Sequence, residues 1–124
     1  MEIKVKNLYC KGSARKVRPL LHIIRGKSAE EAEIKFRFIK SNGSEIWKLL
    51  KNGISIAKEN DLEPGKIFVK SLRCEKSKEL KRHRYESKGR VTRIVKHQHH
   101  LYLVLSDQLS DKKSKKISSQ KKEK

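Results

Sequence analysis

A chain of 124 residues has room for one compact domain and little more, and its formal charge of +19, from 33 Lys and Arg against 14 Asp and Glu, repels itself strongly unless a polyanion neutralises it. No stretch approaches the roughly 18 apolar residues that span a bilayer, and the opening Met1-Glu2-Ile3-Lys4-Val5-Lys6 lacks the apolar core of a signal peptide. No membrane partner is therefore expected, and the chain is expected to act in the compartment of its synthesis.

Glu2-Ile3-Lys4-Val5-Lys6 alternates polar and apolar residues, the period of a strand with one buried face. The period changes after Gly12. Ala14, Val17, Leu20, Leu21 and Ile24 share a helical face, while Arg15, Lys16, Arg18, His22 and Arg25 fall largely elsewhere. Ser13 is the expected N-cap and Gly26 the expected stop. Inside this helix Pro19 removes a hydrogen bond and is expected to kink the axis.

Ser28-Ala29-Glu30-Glu31 has the capping-box pattern of a second helix, which carries Ala32, Phe36 and Ile39 inward and is expected to stop near Asn42-Gly43. Ser44 is expected to cap a third helix, in which Ile46, Trp47, Leu50, Ile54 and Ala57 recur until Asn60-Asp61. Trp47 shares that stripe, so it reads as core and not as a base-stacking platform. Pro64-Gly65 marks a turn. Ile67, Phe68, Val69 and Leu72 then form one apolar run and Leu101-Tyr102-Leu103-Val104-Leu105 another, two strands expected to pair antiparallel.

Between these runs, residues 76–96 are rich in Lys and Arg and poor in apolar side chains, so they build no core; the flanking strands are expected to continue outward as a two-stranded arm. Gly89 permits a tight reversal, which places the turn near Tyr85 to Gly89, and Tyr85 is suited to stack on an unpaired base. The tail, 108–124, is lysine-rich and low in apolar content, and is expected to be disordered in isolation.

Cations that meet phosphates release condensed counterions and need no particular base sequence, so the arm reads as a polyanion contact more than as a merely soluble loop. The expected RNA-binding set is Arg15, Lys16, Arg18, Arg25, Lys27, Lys76, Lys78, Lys81, Arg82, Arg84, Lys88, Arg90, Arg93, Lys96 and His100. His97-Gln98-His99-His100 invites a metal reading, but alternation puts His100 opposite the other two, and no carboxylate or cysteine stands near in sequence; surface or RNA-facing histidines are expected instead. Cys10 and Cys74 form no Cys-x-x-Cys pair and read as free thiols. Glu30, Glu31 and Glu33 suit the first turns of a helix and do not cluster as a nuclease site would, so neither enzyme activity nor a cofactor or metal is expected.

Ser13-Ala14-Arg15-Lys16-Val17-Arg18, then Ile24-Arg25-Gly26-Lys27-Ser28-Ala29-Glu30-Glu31-Ala32, and Ile56-Ala57-Lys58-Glu59-Asn60 resemble the helices of the universal large-subunit ribosomal protein family L twenty-two. The block Leu80-Lys81-Arg82, Lys88-Gly89-Arg90, Arg93-Ile94, Lys96 and His100-Leu101-Tyr102-Leu103-Val104-Leu105-Ser106 resembles that family's hairpin and closing strand. Three places depart from the pattern. Pro19 stands where an aliphatic residue is usual, Tyr85 stands near a common proline, and His83 and Arg84 replace bulkier apolar residues, which makes the tip more cationic.

The resemblance implies an α+β fold with a small three-stranded antiparallel sheet packed on three helices and a long protruding basic β-hairpin. It divides the chain into a single domain, 1–107, with the arm at about 76–96, and the tail 108–124. It implies binding and assembly of large-subunit ribosomal RNA beside neighbouring large-subunit proteins. The tip, Arg82, His83, Arg84, Tyr85 and Lys88, is expected to face the nascent polypeptide in the exit tunnel. The expected location is the ribosome of a bacterium, or of an organelle that encodes the chain, and the compositional rival is a free architectural protein that coats DNA or RNA.

Overall fold

A computed structural model of the protein describes residues 1–39 and 43–107. Strands β1 (Glu2–Lys11), β2 (Phe68–Lys76) and β5 (Gln98–Ser106) form an antiparallel sheet in the order β1-β5-β2, while β3 (Leu80–Tyr85) and β4 (Val91–Lys96) form a separate antiparallel pair. The helices are α1 (Ala14–Leu21), α2 (Ala29–Arg37) and α3 (Ser44–Glu59). With three helices and antiparallel sheets this is the α+β class expected.

Alternation makes one face of the sheet apolar. Ile3 and Val5 from β1, Val69, Leu72 and Cys74 from β2, and Leu101, Leu103 and Leu105 from β5 are buried, and each side chain of this size withdrawn from water stabilises the fold by roughly 1.5–3 kcal/mol. The helices cover that face. α3 packs on β1 and β5, α1 packs on β2, and α2 packs on α3. Gly53 is what lets α3 sit so close, since a Cβ there would lie 2.8 Å from Leu105 Cδ1 and 3.3 Å from Leu103 Cδ2. Phe36, Ile46 and Leu50 fill the layer between helices and are almost wholly buried. Trp47 is half-buried at the edge of that core, with the Lys51 ammonium 5.3 Å from its ring centre.

Several element ends differ from the expectation, each for a local reason. β1 runs on to Lys11 through an irregularity between Asn7 and Cys10, where Tyr9 takes φ 57. Its alternation breaks at that bulge, so pattern alone ends the strand early. α1 stops at Leu21 and not at Gly26. The following backbone is claimed by the edge of β2: Gly26 N–H donates to Val69 O, Val69 N–H to Lys27 O, and Ala29 N–H to Ile67 O. Pro19 lies inside α1, within its last turn.

Ser13 occupies the N-cap position of α1 without a side-chain cap bond, and Ser44 is the first helical residue of α3, behind Gly43. Ser28 does cap α2, its Oγ accepting from Glu31 N–H at 3.3 Å. α2 ends at Arg37, earlier than Asn42-Gly43, and Asn42 lies outside the described residues, as does the tail 108–124. β2 and β5 pair antiparallel as expected, with Phe68 opposite Ser106 and Lys76 opposite His99. They do not run unbroken into β3 and β4, because 77–79 and His97 interrupt them.

Candidate nucleic-acid interface

The hairpin β3–β4 is built by register. Leu80 faces Lys96, Lys81 faces Val95, Arg82 faces Ile94, His83 faces Arg93, Arg84 faces Thr92 and Tyr85 faces Val91. Most rungs thus set a cation against an apolar or neutral residue and avoid the cost of like charges directly opposite. Every residue of β3 is exposed, and all of β4 except half-buried Val95, so the pair holds by its backbone ladder and not by a core of its own. The reversal falls where expected: Lys88 at φ 60 and Gly89 at φ 70 turn the chain, and Glu86 N–H donates to Arg90 O at 2.9 Å. Tyr85 at this end is 82% exposed.

Where hairpin meets sheet, the joint is polar. Ser77 N–H donates to Gln98 O at 3.0 Å, and Gly12 N–H to His97 O at 3.1 Å. Glu79 accepts from Lys76 Nζ at 2.6 Å and lies 3.1 Å from His97 Nδ1. The Lys76 ammonium, and after it His97, hold the Glu79 carboxyl below its ordinary range.

α1 presents Arg15, Lys16 and Arg18 to solvent. Arg18 of α1 and Arg25 just beyond it lie against the outer edge of β2, Arg18 Nε donating to Cys74 O at 3.4 Å and Arg25 Nη2 to Leu72 O at 3.1 Å. These contacts, with the 26–29 backbone, cover an edge that would otherwise offer a row of unpaired groups. A depression of about 270 Å³ here is lined by Arg18, His22, Arg25, Arg73 and Glu75 among others. A second, of about 230 Å³, joins Ser13, Arg15, Arg18, Lys76, His97 and Gln98.

Arg18 lines both, so a cationic strip runs along α1 to the base of the hairpin. Arg15, Arg18, Arg25 and Lys76 are thereby brought together. Lys27 is half-buried beside β2, and Lys78, Lys81, Arg82, Arg84, Lys88, Arg90, Arg93 and Lys96 are exposed on the joint and hairpin and line neither depression. Arg73 was missed as a candidate, although its place between the apolar Leu72 and Cys74 marks an outward-facing strand position.

The histidines part company. His99 is core, 1% exposed, with Nδ1 3.0 Å from Gly12 O, which corrects the expectation of a surface group; the carbonyl of the β1–α1 turn satisfies a polar atom that the sequence pattern could not place. His100 is half-buried, its Nδ1 accepting from Tyr9 N–H at 3.0 Å. His97 has a carboxylate beside it after all, Glu79, which is distant in sequence, but no group of three or more potential metal ligands occurs among the described residues. Cys10 and Cys74 are buried and free, and burial pushes both thiols up, away from the reactive thiolate. Glu30, Glu31 and Glu33 lie in the first turns of α2 as expected.

The segments that form the hairpin, α1 and the sheet all fall within a match to a known family. The sequence model of the family described as Ribosomal protein L22p/L17e matches residues 5–106, from within β1 to the end of β5. The large ribosomal subunit protein uL22 of Syntrophobacter fumaroxidans is 32% identical over 111 residues, which cover 86% of this chain and 99% of that protein. That of Desulfosudis oleivorans is 30% identical over 100 residues, covering 80% and 88% respectively. That of Dehalococcoides mccartyi is 31% identical over 97 residues, covering 77% and 89%. A match that takes in the sheet, all three helices and the hairpin leaves no major element unaccounted for: the chain belongs to the ribosomal protein L22p/L17e family, whose members are structural, non-enzymatic proteins of the large ribosomal subunit.

Proposed function

We propose that this chain binds large-subunit ribosomal RNA, supports its assembly, and extends the β3–β4 hairpin as a protruding basic arm that lines the polypeptide exit tunnel. The single domain 1–107 supplies the fold, the arm at about 76–96 the reach, and the lysine-rich tail 108–124 further positive charge. The observation that carries this reading is the hairpin: a two-stranded pair with next to no buried side chain holds an extended cationic shape for an outside partner to use.

On this reading the phosphate contacts are Arg15, Lys16, Arg18, Arg25 and Lys27 on the body and Lys76, Lys78, Lys81, Arg82, Arg84, Lys88, Arg90, Arg93 and Lys96 on the arm, with His100 on the sheet. Arg82, His83, Arg84, Tyr85 and Lys88 form the tip that faces the nascent polypeptide, and neighbouring large-subunit proteins complete the surroundings. The lack of a long cationic arm in any general requirement for coating nucleic acid weighs against the free architectural alternative. A short photo-crosslinker placed at Tyr85 tests the assignment on translating ribosomes. Nascent peptide is captured from Tyr85 and not from Trp47, which is half-buried on α3. Equal capture from both sites, or none from Tyr85 in fully assembled subunits, rules the tunnel role out.

A further inference from the structure

The helices cover one face of the three-stranded sheet; by strand alternation the other carries Lys4 and Lys6 from β1, Arg73 and Glu75 from β2, and His100, Tyr102 and Val104 from β5. Register aligns these residues in rows. Lys6 and Arg73 both sit opposite Tyr102, so the central half-exposed aromatic has a cation on each side, and Glu75 sits opposite His100. The aromatic line continues. The His100 ring lies 6.5 Å from Tyr102 and 4.8 Å from Tyr9, in edge-to-face geometry.

Tyr9 reaches this line only because the bulge in β1 puts it at φ 57, a region that a bulky side chain rarely adopts, and its N–H then donates to His100 Nδ1. That bond leaves the neutral imidazole proton on Nε2. Strain of this kind persists where the surrounding structure over-determines it, and such places cluster at functional sites. Beside the line, Lys4, Lys6, Arg73, Tyr102 and Val104 bound a shallow hollow of about 340 Å³.

We propose that this open sheet face is a second RNA site, a platform on which unpaired bases stack over Tyr102 and the Tyr9–His100 pair while Lys4, Lys6 and Arg73 neutralise the flanking phosphates. It rests on the RNA-binding reading and lies apart from the hairpin, and it meets the α1 strip at Arg73, which lines both the hollow here and the depression beside α1. Flat π-faces accept any base, and a cation on each side of the central ring tracks a backbone. A duplex hides its bases and cannot use such a surface. The carboxylate of Glu75, in the row next to Arg73, would repel a phosphate but accepts a hydrogen bond from a ribose 2′-hydroxyl, which makes the preferred strand RNA and not DNA.

The test measures affinity of the full chain, by fluorescence anisotropy at one fixed salt concentration, for a single-stranded RNA of about ten nucleotides and for an RNA duplex of the same length. Tyr102→Leu keeps a β-compatible apolar residue but removes the ring, and is expected to weaken single-strand binding roughly tenfold with duplex binding nearly unchanged. Tyr102→Phe retains the ring and binds as the parent does. Arg73→Gln, at an exposed position, weakens the single strand several-fold with duplex binding nearly unchanged, and guards against misfolding of the Tyr102 variant. Parent-like single-strand binding by both Tyr102→Leu and Arg73→Gln overturns the platform and leaves the face for a protein neighbour. If the parent chain binds neither RNA, the RNA-binding reading itself falls, and the platform falls with it.

Discussion

The body and the hairpin of this protein answer the same sequence charge in opposite ways. In the body, β1, β2 and β5 bury one face under three helices, and cations are confined to outer faces and edges. In the hairpin no residue of β3 is buried, and β4 contributes only half-buried Val95. Apolar burial is the term that overcomes chain entropy, so the body folds on its own account while the arm keeps its shape through backbone pairing and its attachment. The contrast separates a part of the chain that buries a core of its own from a part whose cations stay open to solvent.

The widest gap between the two regions is in stability. Phe36→Ala empties a site that is 1% exposed between α2 and α3, and large-to-small changes of this kind cost about 3–5 kcal/mol. Val91→Ala removes a 54% exposed partner of Tyr85 and is expected to cost under about 1 kcal/mol. Urea denaturation of both variants checks this. Comparable losses would mean that the arm is part of the cooperative core.

On the proposed RNA-binding role the order is expected to reverse. Replacing Arg82, Arg84, Arg90 and Arg93 together by Gln leaves the melting of the body nearly unchanged. If each meets a phosphate, the slope of log affinity against log salt becomes shallower by about 3, at roughly 0.7–0.9 for each phosphate no longer neutralised. Removing the same charge from exposed Lys35, Arg37, Lys51 and Lys58 on α2 and α3 is the control, and there the slope is expected to hold. Equal changes in the two sets would reduce the arm to a bearer of diffuse charge.

The two regions also differed in how legible they were. The apolar stripes of α1, α2 and α3 and the pairing of β2 with β5 follow from period alone, and the turn at Lys88-Gly89 follows from glycine. What escaped is set by contacts between distant segments. α1 ends early because the edge of β2 takes the backbone of 26–29, and His99 is core because Gly12 O reaches it. Arg18 and Arg25 read as solvent-facing cations but also brace a sheet edge. The aromatic line Tyr9–His100–Tyr102 needs both strand register and a bulge, and neither is written in local pattern. Tyr85, by contrast, stood out because a cationic stretch surrounds it.

The smallest effect lies at the joint between the regions, and it is set by pH. Lys76 Nζ and His97 Nδ1 both face the Glu79 carboxylate, Lys76 from the end of β2 and His97 from the link between β4 and β5. Lys76 first, then His97, lowers the Glu79 pKa below its ordinary value near 4.5. A carboxyl whose folded pKa is depressed contributes its full stabilisation above the unfolded value and loses it as pH falls through the folded one. The clamp is therefore intact at neutral pH and released in acid, below about pH 4.5. Because Glu79 lies at the surface and solvent screens it, the global stability changes little. The effect is local, in the angle and order of the arm. Amide exchange at Ser77, whose N–H donates to Gln98 O, is expected to quicken on acidification, after correction for the intrinsic rate, ahead of any loss of protection in β5. Glu79→Gln is expected to show the quickened exchange already at neutral pH and no further acid step. The body carries carboxylates lowered in the same way, Glu2 by Lys70 and Glu63 by Lys66, so acid releases ion pairs there too. The buried sheet face still holds those strands when the pairs are lost, whereas the joint has only polar contacts to fall back on. An acid step that persists in Glu79→Gln, or that appears in β5 together with the joint, would mean that arm and body open as one unit.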